Sequence, residues 1–289
     1  MPGISRRKVS WSSIPVSRAG LGLSRIGSVG SPIGPRDAER LIQRAFDQGI
    51  NLFDTADVYG QGDSERILGS ALRSKRSEIV ICTKAGLLVS AKARIASFAK
   101  PVLRPLSRAL QGSRGAAPPL RAALSRPPAA QNLSPQHVAT SIDGSLRRLG
   151  TDTIDLFLLH NPAPPVGPEL DSVAELLLAA KQAGKVRAIG VSSRSPEEAA
   201  VWAQWPIVDV IQVRPVVGDR IQPVLSKGAR SVGIIARQVL FVGANTEADR
   251  AAINGRVRAA LQFADVVLFG TTSSAHLDAN IAAFAEAER

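Results

Sequence analysis

Residues 154–160 read Ile-Asp-Leu-Phe-Leu-Leu-His, a short and nearly continuous apolar run that ends in a polar side chain. Such a run predicts a β-strand that is covered on both faces, because a strand with one face in water alternates apolar and polar residues. Seven other short runs have this character, and we predict strands there as well: 19–23, 51–54, 79–83, 188–191, 208–212, 232–236 and 266–269. We expect these strands to form a parallel sheet.

Helical patterns lie between the predicted strands. Residues 35–48 place Leu41, Ala45 and Phe46 on one face, and Ser195 opens a Ser-Pro-Glu-Glu sequence that is typical of a helix start. Four more segments are predicted to be helical: 64–72, 135–149, 169–183 and 280–288. This alternation predicts an α/β fold, and we expect a closed (β/α)8 TIM barrel, with an open doubly wound sheet as the alternative.

The size of the chain agrees with one barrel. Its 289 residues and its hydrophobic content of 45% are typical of an α/β barrel with a substantial core. We therefore predict a single domain over residues 1–289. A β-hairpin near residues 9–16 is expected to plug the N-terminal mouth of the barrel.

Residues 87–130 interrupt the pattern as a basic insertion after the third strand. The segment is rich in Ala, Pro, Ser and Leu and has no Asp or Glu, whereas it holds eight basic residues: Lys92, Arg94, Lys100, Arg104, Arg108, Arg114, Arg121 and Arg126. These residues account for most of the net charge of +12. We expect this segment to be partly mobile and to lie on the active-site side of the barrel, where it serves as a solvated loop or a substrate lid. Residues 95–110 could form a short helix within it.

The composition disfavours several classes of protein. Cys82 is the only cysteine and lies in an apolar run, so neither a disulfide framework nor a metal site is expected, and a reducing cytoplasm fits. No apolar run approaches the roughly 18 residues of a membrane span. Residues 5–8 contain two arginines but precede no apolar segment, so we do not expect a targeting peptide. The insertion has one aromatic residue, Phe98, which disfavours nucleic acid as a partner.

Four titratable residues lie at or just beyond the ends of three predicted strands. Asp54 and Tyr59 follow the second strand, Lys84 ends the third, and His160 ends the fourth. Strand ends converge on one face of a barrel, where catalysis occurs. An ammonium group at the end of a buried strand needs a carboxylate, and Asp54 is the natural partner of Lys84. Each residue alone is more often structural, but together they predict an active site.

The sequence around these residues resembles that of the aldo-keto reductases. The motifs occur in the order of that family and cover nearly the whole chain apart from the insertion and the N-terminal tail. They are NLFDTADVYGQGDSERILGSAL (51–72), ICTKAG (81–86), DTIDLFLLHNP (152–162), GKVRAIGVSS (184–193), VDVIQV (208–213), GIIARQVL (233–240) and VLFGTTSSAHLDAN (267–280).

This resemblance implies a catalytic tetrad of Asp54, Tyr59, Lys84 and His160. Tyr59 would protonate the carbonyl oxygen as hydride arrives at carbon, and the Lys84 ammonium would lower the pKa of the phenol. Asp54 would hold Lys84 in place, while His160 would hydrogen-bond the carbonyl and orient it. No metal is required.

The resemblance also implies a nicotinamide cofactor. Ser192, Ser193 and Gln212 match positions that bind the nicotinamide carboxamide, and Arg237 would either stack on the ring or form a salt bridge in the barrel mouth. The loop before the last helix would hold phosphate, and its candidate residues are Gly270, Thr271, Thr272 and Ser273. Asn280 matches a position that binds adenine. His276, and Gly22 at the end of the first strand, are the remaining cofactor-binding candidates.

Two observations bear on which cofactor is used. The GTTSS loop is similar to that of NADP-using bacterial relatives, which favours NADPH. Gly270 and His276 stand where relatives with a strong NADP preference often carry Lys and Arg, so NADH is the alternative.

The expected function is reduction of a small aldehyde or ketone, by a monomer or weak homo-oligomer. One alternative is an NAD-dependent sugar or alcohol dehydrogenase of the same fold. The other is a nicotinamide-sensing regulatory or binding protein, whose basic insertion would dock on an acidic partner, nucleic acid or anionic lipid.

Overall fold

The structure is a computed structural model that describes residues 4–28, 31–88, 130–164, 169–217, 220–221, 232–240 and 247–289. The strands in these ranges are β1 (Arg6–Arg7), β2 (Val16–Ser17), β3 (Ala19–Gly22), β4 (Leu52–Asp54), β5 (Val80–Ala85), β6 (Leu87–Leu88), β7 (Ala130–Gln131), β8 (Ile154–His160), β9 (Val186–Ser193), β10 (Val210–Val213), β11 (Val216–Val217), β12 (Arg220–Ile221), β13 (Gly233–Ala236) and β14 (Val266–Phe269). The α-helices are α1 (Pro35–Asp47), α2 (Asp63–Leu72), α3 (Pro135–Leu149), α4 (Glu169–Gln182), α5 (Pro196–Trp202), α6 (Glu247–Leu261) and α7 (Ser274–Ala287).

Eight parallel strands close into a barrel. Their order around it is β3, β4, β5, β8, β9, β10, β13 and β14, and β14 pairs with β3 to complete the circle. In the described residues a helix follows every barrel strand except β10, so the predicted (β/α)8 TIM barrel is confirmed and the open sheet was wrong. The antiparallel pairing of β1 with β2 confirms the N-terminal hairpin.

The barrel encloses an apolar core of its own. Side chains from alternate strand positions pack inside it: Leu52, Val80, Cys82, Leu156, Leu158, Ala188, Val210, Ile235, Val266 and Leu268. Gly20 and Gly190 also face inward, because a Cβ atom there would lie 2.5 Å from the side chains of Leu268 and Leu158, respectively. The helices pack on the outside of the barrel through a second and larger cluster.

Trp11, in the loop of the hairpin, closes the N-terminal end of the barrel interior. Its side chain belongs to the interior cluster with Val16 and is 6% exposed. The indole Nε1 donates to Asp265 Oδ2 at 3.5 Å. It also lies so close to Gly233 that a Cβ atom there would be 2.2 Å from Nε1. The hairpin therefore forms the plug that the sequence predicts.

The root of the predicted insertion lies just beyond β5. Leu87 in β6 pairs with Gln131 in β7, and Leu88 pairs with Ala130. The segment therefore leaves and rejoins the barrel at one place, on the face where the strands end. Residues 89–129 lie outside the described residues, as do the helix predicted within 95–110 and the predicted mobility.

The eight barrel strands begin and end within two residues of the predicted bounds, the two-residue strands β6, β7, β11 and β12 were not predicted, and two helices differ. Helix α7 begins at Ser274, six residues before the predicted start, because the Ser273 hydroxyl accepts from the backbone N–H of His276 and caps the helix. Helix α6 was not predicted, since Asn254 and Gly255 in its middle weaken the helical pattern.

We expect Trp11→Ala to lower the free energy of unfolding by about 3–5 kcal/mol, because it leaves a cavity at the end of the barrel interior. Urea denaturation of the purified chain measures this change. The control is Val201→Ala on α5, where the side chain is 47% exposed, and its effect should stay within about 0.5 kcal/mol. Equal effects of the two substitutions would contradict the role of Trp11 as the plug.

Candidate active site

A ring of inward-facing residues caps the apolar interior where the barrel strands end. Side chains alternate along a strand, so the residue two positions after the last apolar or glycine interior residue faces inward again. The ring contains one residue in the last part of each barrel strand or directly after it: Gly22, Asp54, Lys84, His160, Ser192, Gln212, Arg237 and Gly270. The structure therefore brings eight of the predicted site residues to one end of the barrel.

Asp54 and Lys84 form a buried ion pair in this ring. Lys84 Nζ lies 2.7 Å from Asp54 Oδ1 and donates to the backbone oxygen of Thr55 at 2.7 Å. The two residues are 5% and 1% exposed. Burial is the largest single influence and acts to lower the pKa of Lys84, but Asp54, Tyr59 and Cys82 together outweigh it, so the pKa is raised. Lys84 therefore remains a cation and has the carboxylate partner that the sequence argument required.

Tyr59 is brought over the ring by a short 3-10 turn, Tyr59–Gly62. Gly60 in this turn has a φ of +57° and packs against Gly27, where a Cβ atom would lie 2.5 Å from a backbone carbon. The phenol ring centroid is 5.1 Å from Lys84 Nζ, and it meets the His160 ring edge to face at 5.8 Å. The turn thus brings the four residues of the predicted tetrad together.

The pKa of Tyr59 lies above its ordinary value. Burial raises it most, Lys84 lowers it, Asp54 raises it, and Arg237 lowers it. Lys84 acts in the direction that we predicted, but the net shift of the pKa is opposite because the phenol is largely removed from water. Tyr59 therefore keeps its proton at neutral pH and has one available to donate.

The imidazole of His160 is held in the neutral form. Burial, followed by the charges of Lys84 and Arg237, keeps the pKa of His160 well below its usual value. Its buried Nδ1 has no hydrogen-bond partner among the described residues. A neutral imidazole offers one donor and one acceptor, so it can orient a carbonyl group without supplying a net charge.

A hydrogen-bond chain connects the ion pair to the opposite side of the ring. Gln212 Nε2 donates to Asp54 Oδ1 at 2.7 Å, and Ser192 Oγ donates to Gln212 Oε1 at 3.0 Å. All three side chains are buried. Two of the predicted carboxamide-binding residues therefore belong to the same network as Asp54.

Arg237 is held by uncharged oxygen atoms. Its Nη2 donates to the backbone oxygen of Ser193 at 2.8 Å and to Asn161 Oδ1 at 3.3 Å. No carboxylate in the described ranges lies within 4.0 Å of the guanidinium, so the salt bridge that we considered is not observed there. Arg237 Nε and Ser193 Oγ are buried without a hydrogen-bond partner among these residues.

Asn161 is a site residue that the sequence analysis did not select. It follows His160 directly and has a φ of +49°, a left-handed conformation that breaks the alternation of strand side chains. Its Oδ1 accepts from Arg237 and lies 3.4 Å from Ser192 Oγ. The only sequence signal was its place in the LHNP motif. Alternation along the strand would place the side chain after His160 outside the barrel, so it does not predict that Asn161 contacts the ring.

The predicted phosphate loop lies next to the ring, between β14 and α7. A Cβ atom on Gly270 would lie 3.1 Å from the backbone oxygen of Gly22. Thr271 Oγ1 accepts from the backbone N–H of Ser273, and Ser273 Oγ accepts from the backbone N–H of His276. Two backbone N–H groups of the loop are therefore already bound by loop hydroxyls. The described contacts do not join these residues to the tetrad, and they form a second group: Thr271, Thr272, Ser273, His276 and Asn280.

Behind the tetrad lies a cluster of charged residues that the sequence analysis also did not select. Glu65 is fully buried and accepts from Thr83 Oγ1 at 2.7 Å and from Arg148 Nε at 2.5 Å. Asp57 lies beside it, with a buried Oδ1 that has no hydrogen-bond partner among the described residues. Burial and the charge of Glu65 raise the pKa of Asp57 to about 7, although Arg148 opposes them. Their contacts span three elements, so no single motif shows the cluster.

Comparisons with known proteins agree with this architecture. An aldo-keto reductase structure from Pseudomonas aeruginosa superposes with a TM-score of 0.71 at 26% identity and covers 98% of this chain and 96% of that one. The NADH-specific methylglyoxal reductase of Escherichia coli K12 is 32% identical over 214 residues, which are 72% of this chain and 57% of that protein. A 6-dehydroglucose reductase of Novosphingobium aromaticivorans is 31% identical over 203 residues, 67% of this chain and 53% of that protein. The chain thus spans about half the length of these two relatives.

The fold and the polar ring define a (β/α)8 barrel with a candidate active site where its strands end. Residues 18–257 match the aldo/keto reductase family. The chain belongs to this family, whose members use NADH or NADPH, and the resemblance seen in the motifs is confirmed.

The described residues contain neither a membrane-spanning helix nor a metal-binding group of side chains. None of their helices is both long enough and apolar enough to cross a membrane. In the same part of the chain, no three His, Cys, Asp or Glu side chains are grouped so that they could hold a metal ion.

We expect Asp57→Asn to stabilise the protein at pH 8 relative to wild type, and to do so less at pH 5. The pKa of Asp57 is about 7 in the folded state and about 3.9 when unfolded. Between these values the folded state holds a proton that the unfolded state has lost, so stability falls as the pH rises. The substitution removes this loss, and the advantage of the variant should grow by about 2 kcal/mol from pH 5 to pH 8. Urea denaturation at the two pH values measures it, and an equal advantage at both would contradict the assignment.

Proposed function

We propose that this protein reduces the carbonyl group of a small aldehyde or ketone with hydride from a nicotinamide cofactor, and that Tyr59 is the general acid. The observation that carries the proposal is the arrangement of Tyr59 beside Lys84 and His160 over a polar ring at the barrel mouth. Together, Tyr59, Lys84 and His160 supply a proton donor, a fixed cation and a neutral imidazole within one small space. Reduction of a carbonyl group needs such a set, because negative charge develops on its oxygen.

The residues of the ring fit a nicotinamide. Ser193 Oγ and Arg237 Nε are buried polar groups without partners among the described residues, and a buried group of this kind is expensive unless a ligand satisfies it. Ser192 and Gln212 present a hydroxyl and an amide at the same level. We propose that these four residues hold the carboxamide end of the cofactor, which supplies the hydride when bound.

The chain's own residues then control the proton. Tyr59 retains its proton because its pKa is raised, and Lys84 favours the phenolate that remains after the proton has moved to the carbonyl oxygen. Asp54 keeps Lys84 charged and in place through the ion pair. His160 orients the carbonyl oxygen by a hydrogen bond, and its neutral state leaves Tyr59 as the acid.

The names of the relatives support a small, polar carbonyl compound as the substrate. One relative is a methylglyoxal reductase and the other a 6-dehydroglucose reductase. A panel of such compounds, including methylglyoxal and oxidised sugars, is therefore the first to test. Faster turnover of sugars or alcohols with NAD or NADP would favour the dehydrogenase direction.

Tyr59→Phe should lower carbonyl-dependent oxidation of the reduced cofactor by about 100-fold or more, because no other positioned acid replaces the phenol. Cofactor binding should change by no more than about twofold, since the substitution removes one oxygen atom. Steady-state absorbance assays and fluorescence titration measure the two quantities. Gln61→Asn, in the same turn, is the matched control and should keep its activity. Full activity of Tyr59→Phe would refute the role of the phenol.

For the cofactor, we favour NADH over the NADPH that the GTTSS loop suggested. Residues 270–288 contain neither Lys nor Arg. Arg44 of α1 lies near α7, but it donates two hydrogen bonds to Asp278, at 2.8 and 2.7 Å. A 2′-phosphate would therefore find no unpaired cation on this stretch, and the Escherichia coli relative is NADH-specific.

His276→Arg should improve kcat/KM for NADPH by about tenfold and leave that for NADH within about twofold, because the added cation would face only the extra phosphate. Steady-state kinetics of the wild type and the variant with both cofactors provide the test. A wild type that prefers NADPH by more than about tenfold would contradict the preference for NADH.

A further inference from the structure

The ring carries one positive charge that no ring carboxylate balances. Asp54 and Lys84 neutralise each other at 2.7 Å. His160 is uncharged because its pKa is depressed. The guanidinium of Arg237 remains, and its contacts among the described residues are to the neutral oxygens of Ser193 and Asn161.

Arg237 is fixed in this position. Its backbone N–H donates to the oxygen of Val213 at 2.8 Å, which extends the pairing of β13 with β10 by one residue. Its side chain is clamped between the ends of β8 and β9 by the Ser193 and Asn161 contacts. Arg237 is partly buried, and a fixed charge that is partly removed from water acts more strongly on a charged group beside it, because less solvent screens the interaction.

The two redox states of a nicotinamide differ in charge where they would meet Arg237. The reduced ring is neutral, whereas the oxidised ring carries one positive charge. The pyrophosphate, the riboses and the adenine are the same in both states. Their contributions to affinity therefore cancel when the two dissociation constants are divided.

We propose that Arg237 makes the barrel mouth bind the reduced nicotinamide more tightly than the oxidised one. The inference rests on the proposed function, since it requires the nicotinamide to lie at the ring. In the direction of carbonyl reduction, the charge of Arg237 then favours release of the oxidised cofactor, whereas it does not repel the neutral ring of the reduced cofactor. Arg237 thus determines which redox state of the cofactor binds more tightly, in addition to its proposed role in holding the carboxamide end.

The test compares the dissociation constants of NADH and NAD, and of NADPH and NADP, for the full chain without a carbonyl substrate. Isothermal titration calorimetry measures all four. In wild type the reduced form should bind at least tenfold more tightly. Arg237→Gln should reduce this ratio by about tenfold, whereas Arg237→Lys should keep most of it because the charge remains.

The matched control is Arg194→Gln, which removes the same charge from an exposed side chain at the rim that is paired with Glu198. Its ratio should equal that of wild type. A purely structural role of Arg237 would weaken both redox states equally, so an unchanged ratio in Arg237→Gln overturns the inference.

Wild type alone also decides the matter if Arg237→Gln does not fold. A wild type that binds the oxidised and reduced forms equally overturns the inference but leaves the proposed function standing. A wild type that binds neither form overturns the proposed function itself, and the inference with it.

Discussion

The ion pair between Asp54 and Lys84 is the interaction on which the rest of the ring depends. Two charges above an apolar barrel interior are stable only when each has the other and their remaining hydrogen-bonding groups are satisfied. The Thr55 carbonyl does this for the ammonium, and Gln212 does it for the carboxylate. Because Gln212 is in turn bound by Ser192, the pair fixes the orientation of side chains on four different strands.

Burial also controls the two groups that flank this pair, and it acts on them in opposite directions. It raises the pKa of the Tyr59 phenol and lowers that of the His160 imidazole, because in both cases water no longer stabilises the charged form. Both groups are therefore neutral in the resting site. One low-dielectric environment thus yields an acid that holds its proton and an imidazole that adds no charge.

The sequence predicted the barrel and the ring because both follow from a short period. The sequence pattern alone shows an apolar strand that ends in a polar residue. The alternation of side chains then places that residue inside the barrel, as for Lys84 and His160. Residues that depend on other geometry were missed. Asn161 reaches the ring through a left-handed backbone, and Asp57 meets Glu65 only when the 3-10 turn folds against α2. The net pKa of Tyr59 was also not predictable, since it depends on how far burial exceeds the effect of Lys84.

The two-residue ladder of β6 with β7 has a consequence for how this chain can change over time. It holds together the two chain ends that flank residues 89–129, and the entropy of joining two chain ends grows only with the logarithm of the number of residues between them. Additions and deletions there should therefore be nearly neutral for the stability of the barrel. Gln131 of the same ladder donates to the backbone oxygens of His160 and Asn161, at 3.3 and 3.0 Å. The segment that can change in length is thus attached beside His160 and Asn161 at the mouth of the barrel, while the barrel beneath keeps its fold.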